Sequence, residues 1–84
     1  MDPETDDVKR KEPVEGRCAN HFELAFTESE FLLDFGQLYD DRDKPLLHTR
    51  IIVTPRSVKT LVHMLQDMVE KYEKTMGLIP ERKS

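Results

Sequence analysis

One cysteine, Cys18, is all the thiol chemistry the chain owns, so no internal disulfide can staple it and nothing calls for an oxidising compartment. No apolar run approaches the roughly 18 residues that would span a bilayer. The first residues, with Asp2, Glu4, Asp6 and Asp7, are the opposite of the basic, then apolar start of a secretory signal, and a cytoplasmic location is expected. Glycine is scarce, at three residues, and no glycine-rich phosphate loop is present. No motif places a nucleophile beside a base, so the chain is read as no enzyme and as using no cofactor. A net charge of −4 argues against a sequence-independent grip on nucleic acid, which needs Lys and Arg gathered on one surface. Within 84 residues there is room for one small domain, whose surface-to-volume ratio leaves a lone core marginal, and help from oligomerisation is expected.

What is present is organised around the stretch Thr54 to Gly77. Thr54 can cap a first turn with its hydroxyl, Pro55 suits the first helical position, and Gly77 can take the left-handed turn that ends a helix. Between them Val58, Leu61, Val62, Leu65, Met68, Val69, Tyr72 and Met76 recur at helical spacing, a stripe too broad for solvent. Beyond Gly77, Leu78 is expected to fold back on the last turn and Pro80 to prevent continuation.

Upstream the period changes from helical to two. From Arg17 to Thr27, Cys18, Asn20, Phe22, Leu24 and Phe26 alternate with Ala19, His21, Glu23 and Ala25, as in a half-buried strand. Glu28 to Glu30 form a short break without the Asn-Gly or Asp-Gly pair of a strong hairpin turn, and a second alternating run goes from Phe31 to about Tyr39. The charged turn from Asp40 to Pro45 leads to a third strand, LLHTRIIV, which feeds straight into the cap at Thr54. Residues 1–16 are polar and charged and are read as a disordered tail, 17–80 as one domain, and 81–84 as frayed. The fold class is therefore α+β: a three-stranded antiparallel meander followed by one long C-terminal helix packed on the sheet. Phe22, Leu24, Phe26, Phe31, Leu33, Phe35, Leu47, Ile51 and Val53 are the expected floor for the helix. Ala25, Leu32, Leu38 and Ile52 lie on the opposite face, and with two open sheet edges they favour a homodimer whose candidate face is Leu32, Leu38 and Ile52.

Several clusters invite chemistry and are better read without it. Asp40, Asp41 and Asp43 lack the glycine and distal glutamate of an EF-hand and read as a solvated turn. His21, His48, His63 and Cys18 lack metal-ligand spacing and read as cross-strand or surface residues. Asp34, beside Gly36, points away from the helix-facing side and reads as the acceptor of a structural hydrogen bond, while Gly36 permits close backbone approach or a bulge. Lys9, Arg10 and Lys11 form a basic triplet within an acidic tail and read as solvated. Arg50, Arg56 and Lys59, with Lys44 or Arg42 alongside, are the candidate contacts for a partner or an anion, because N–H groups at a helix start add positive character.

The order Leu33, Asp34, Phe35, Gly36 and Gln37, then Pro55, then Tyr72, Glu73 and Gly77 resembles a group of small bacterial and archaeal proteins known only as a domain of unknown function. The similarity covers roughly Ala19 to Gly77. It implies a small β-rich domain with a C-terminal helix, and the position of some relatives beside RNA polymerase subunit genes points toward transcription. It brings no activity and no functional residue. The reading that follows is a non-enzymatic, cytoplasmic, homodimeric protein-interaction module. Its rival is a transcription accessory factor that touches polymerase or nucleic acid through Arg50, Arg56, Lys59 and the Lys9 to Lys11 triplet.

Overall fold

The computed structural model describes residues 8–11, 13–40 and 43–81. Its elements follow in the expected order: β1 (His21–Phe26), β2 (Phe31–Gln37), β3 (Leu46–Val53) and α1 (Pro55–Met76). The strands form one antiparallel sheet in the order β1-β2-β3, so the class is α+β and the sheet a meander.

Chain chemistry explains each joint. Between β1 and β2 the Thr27 hydroxyl accepts from the backbone N–H of Ser29 (3.3 Å) and of Glu30 (3.1 Å), and the Thr27 N–H donates to the Glu30 carbonyl at 2.8 Å. A threonine side chain thus closes a turn that has no glycine. The first strand starts at His21, later than the alternation predicts. Asn20 ends the ladder with its side chain, accepting from Leu38 N–H at 2.8 Å and donating to Leu38 C=O at 3.2 Å. Upstream, the chain leaves β1 and reaches β3, where Arg17 donates to the His48 carbonyl at 3.4 Å.

Register then sorts the side chains. Phe22, Leu24 and Phe26 lie opposite Phe35, Leu33 and Phe31, which in turn lie opposite Thr49, Ile51 and Val53. All four phenylalanines of the chain therefore share one face. Two cross-strand pairs, Phe22 with Phe35 (edge-on) and Phe26 with Phe31 (tilted), have ring centroids 5.8 Å apart. Such pairs contribute on the order of 1 kcal/mol each beyond their burial. The other face carries Ala25, Leu32 and Ile52 in one row and Glu23, Asp34 and Arg50 in the next.

Leu47 departs from the expected floor. The register slips between Phe35 and Gly36, so that Phe35 pairs with Thr49 but Gly36 pairs with Leu47, leaving His48 as the extra residue of a bulge. Leu47 shares the Gly36 side of the sheet, with its Cδ2 2.8 Å from where a Gly36 Cβ would stand. Strict alternation cannot register an inserted residue.

Helix α1 starts as its cap chemistry dictates. Thr54 is extended (φ −76°, ψ 158°), its hydroxyl accepts from Ser57 N–H at 3.2 Å, and its carbonyl takes the first helical bond from Val58 at 2.9 Å. Thr54→Ala is expected to cost about 1 kcal/mol, read as a lower urea midpoint at unchanged slope. At the far end Gly77 has φ +110° and ψ 168°, a region kept almost wholly for glycine, and its N–H donates to Glu73 C=O at 3.0 Å. Leu78 does not fold back, being 86 % exposed; Ile79 N–H instead donates to the Glu73 carboxylate at 2.9 Å.

Position relative to the sheet is where the helix differs from expectation. No residue of α1 is buried, and among the described residues the elements that pack extensively on each other are β1 with β2 and β2 with β3. Among the described residues Leu33 is the one buried apolar side chain. The radius of gyration is 15.5 Å, against about 12 Å for a compact chain of this length. The physical reason lies in the joint: β3 ends at Val53 and α1 begins at Pro55. Thr54, which precedes a proline, is held extended.

Candidate functional site

Two uncovered apolar faces dominate the molecule. On the sheet, Phe22, Leu24 and Phe26 are 56, 72 and 74 % exposed, and Ile51 joins them. On the helix, Leu61, Val62, Leu65, Met68, Val69, Tyr72 and Met76 are all exposed along one side. Scattered apolar residues on a surface need no explanation, but these two faces are contiguous and exceed that pattern. Near the helix end, Met68, Val69, Tyr72, Met76 and Ile79 line a concave apolar patch.

The opposite sheet face is polar at its centre. Asp34 and Arg50 are register partners, and the guanidinium grips the carboxylate with two bonds, Nε to Oδ1 at 2.8 Å and Nη2 to Oδ2 at 2.9 Å. That hydrogen bonding, reinforced by the positive charge and opposed by partial desolvation, holds the Asp34 carboxyl below the usual aspartate value. The same bonds raise the Arg50 value. A lowered folded-state pKa stabilises the fold above the ordinary carboxylate pKa of about 4, and that contribution is lost as pH falls through the lowered value. Asp34→Asn is therefore expected to flatten the decline of melting temperature below about pH 4, as measured by circular dichroism across the acid range.

The sequence-predicted contacts are only partly brought together. Arg50 is committed to Asp34 across the strands. Arg56 and Lys59 stand exposed in the first turns of α1, a stretch whose first turn holds no acidic residue. Arg42 lies outside the described residues, as do residues 1–7, Glu12, Asp41 and 82–84. Of the predicted dimer face, Leu32 and Ile52 are direct cross-strand partners. Leu38 is separated from them, past the end of β2, six residues or about 20 Å along the chain from Leu32.

Two of the three histidines, His48 and His21, are structural in their contacts, and His63 is exposed on α1. His48 Nε2 lies 3.0 Å from the Cys18 carbonyl and Nδ1 lies 2.6 Å from the Thr49 hydroxyl. A carbonyl only accepts, so Nε2 carries a proton, and in the neutral ring Nδ1 accepts from the Thr49 hydroxyl. Both ring nitrogens are thus engaged. Glu15, across the same concavity, is bound to Arg17 at 2.7 Å. His21 pairs with Glu23 at 3.0 Å. Among the described residues no group of three or more His, Cys, Asp or Glu side chains converges as a metal site would require, and no helix is long and apolar enough to cross a membrane.

A family model described as a protein of unknown function, DUF3467, matches residues 5–81, nearly the whole chain. The chain belongs to the DUF3467 family. No curated protein and no solved structure matches it. In this DUF3467 chain the segment Leu33 to Gln37 lies in the central strand β2, and its parts have separate physical tasks. Leu33 supplies the buried side chain, Asp34 the ion pair and Gly36 the space for the bulge. Gly36 is the one signal of the bulge within the strand; the bidentate pair and the displacement of Leu47 have none, because each depends on which residue of β3 lies opposite.

Proposed function

We propose that this DUF3467 chain is a non-enzymatic protein-interaction module that works as a cytoplasmic homodimer. The observation that carries the reading is the near absence of a core among the described residues of one chain: one buried apolar side chain beside two uncovered apolar faces. Burying a leucine contributes roughly 2 kcal/mol, whereas ordering the backbone costs on the order of 1 kcal/mol or more for each residue. A fold this open is stabilised by a second chain. With the phenylalanine face and the helix stripe given to the dimer, in place of the Leu32, Leu38 and Ile52 face that alternation suggests, the Ala25, Leu32 and Ile52 row and the outer face of α1, bearing His63, Gln66, Asp67 and Glu70, are left for a different protein partner. Static light scattering of the purified chain is expected to give twice the 9.9 kDa chain mass. Affinity purification from the native cell is expected to retain a protein partner. A strict monomer that retains none would sink the proposal.

Arg56 and Lys59, exposed at a helix start free of acidic residues, support a second reading as a transcription accessory factor. Arg50 adds little to it, since its guanidinium is held by Asp34. Fluorescence anisotropy at low salt, with DNA and RNA probes, decides whether nucleic acid is the target: binding should weaken with added salt and when both residues are neutralised. No binding at low salt removes that version.

A further inference from the structure

We infer that the two copies exchange helices, so that α1 of each lies along the phenylalanine face of the other. The inference rests on the homodimer reading and names the geometry of that same surface. Its first support is the joint. A strand and a helix that pack on each other within one chain are usually linked by about two to six residues, and here Thr54 alone stands between Val53 and Pro55. A single extended residue advances the chain by only about 3.5 Å, too little to reverse its direction and step from the sheet to a helix axis above it. Another chain's helix has no such restriction.

Fit is the second support. The 22 residues of α1 span about 33 Å and the helix is about 10 Å across. The eight residues of β3 span about 26 Å, and three strands cover about 10 Å from first to last. One helix therefore matches the length and width of one sheet face. Neither the sheet face around Phe22, Leu24 and Phe26 nor the stripe through Leu65, Val69 and Tyr72 contains a charge, so no ionised group need be desolvated between them.

Economy of coverage is the third. A twofold pairing makes each contact twice, helix of one on sheet of the other and the reverse. Exchange thus covers all four apolar faces in one arrangement. Helix against helix would leave both phenylalanine faces wet, and sheet against sheet would leave both stripes wet. With a fully exposed aromatic side chain presenting about 150 to 250 Å² and the aliphatic ones less, the partly exposed residues of the two faces offer on the order of 1,000 Å² per chain. Their combined burial reaches the roughly 2,000 Å² at which obligate dimers begin.

Composition supplies the reporter for a test on the unaltered chain. All four phenylalanines are on the sheet face, and Met64, Met68 and Met76 are on α1. One batch is deuterated except for ¹³C-labelled methionine methyl groups, another except for phenylalanine rings, and the two are unfolded, mixed and refolded together. Cross-peaks in a nuclear Overhauser spectrum between methionine methyls and phenylalanine rings then arise only between copies, and they are expected. A dimeric mass by light scattering without such cross-peaks overturns helix exchange and leaves the homodimer standing. A monomeric mass overturns both.

Discussion

Leu65→Asp is expected to halve the mass in solution and to abolish the cooperative thermal transition. Leu65 stands in the middle of the α1 stripe and is 54 % exposed in one chain. Judged from a single copy, the change is a surface substitution worth no more than about 0.5 kcal/mol. In a dimer that covers the stripe, a carboxylate enters an apolar interface with no partner, at several kcal/mol, and symmetry makes the cost apply twice. With Leu33 the one buried apolar side chain among the described residues, the separated chain has little left to hold it. Gln66→Asp, on the outer face one residue away, is the control and should leave mass and melting temperature close to those of the parent. Light scattering and a circular dichroism melt on both variants check the prediction. A Leu65→Asp protein as dimeric and stable as the parent would exclude the stripe from the interface.

Gly36→Ala is expected to destabilise the sheet by roughly 1 to 3 kcal/mol, the usual range for overpacking, and by more where backbone must give way. The added methyl would overlap the Leu46 carbonyl oxygen and would stand 2.8 Å from Leu47 Cδ2 and 2.9 Å from Leu47 Cα. Two of those three atoms are backbone, pinned by the ladder and the bulge, so rotation of the Leu47 side chain relieves only part of the overlap. The glycine is required here for space and not for an unusual backbone angle, since Gly77 is the one glycine with positive φ among the described residues. Gly16→Ala, with nothing within 4 Å of the added carbon, is the matched control. Urea unfolding of both variants gives the difference directly, and faster amide exchange confined to β2 and β3 would place the damage at the bulge.

These two variants separate what is local in the fold from what is not. The helix was legible because its signals are local: Thr54 and Pro55 at the start, the spacing of the stripe thereafter, and Gly77 at the end. The third strand was legible because its β-branched residues and its alternation agree from Thr49 to Val53, although the bulge at His48 breaks the alternation before them. The face on which Asp34 lies was legible from alternation as well, and so was the need for a glycine at Gly36. By contrast, the turn at Thr27 depends on a hydroxyl that can reach two backbone N–H groups only after the chain has bent. The commitment of Arg50 to Asp34, the displacement of Leu47 and the engagement of both His48 nitrogens depend on register between segments up to 30 residues apart.

The sequence by itself determined the α+β class, the order of strands and helix, the cap at Thr54 and the existence of two apolar surfaces that must be covered. Each follows from periodicity or from a contact within a few residues. Only the tertiary structure decided that those surfaces do not meet within the chain. Periodicity reports that a face is apolar and is silent on what lies against it. The joint between β3 and α1 is one extended residue before a proline, and α1 does not pack on the sheet whose composition it matches.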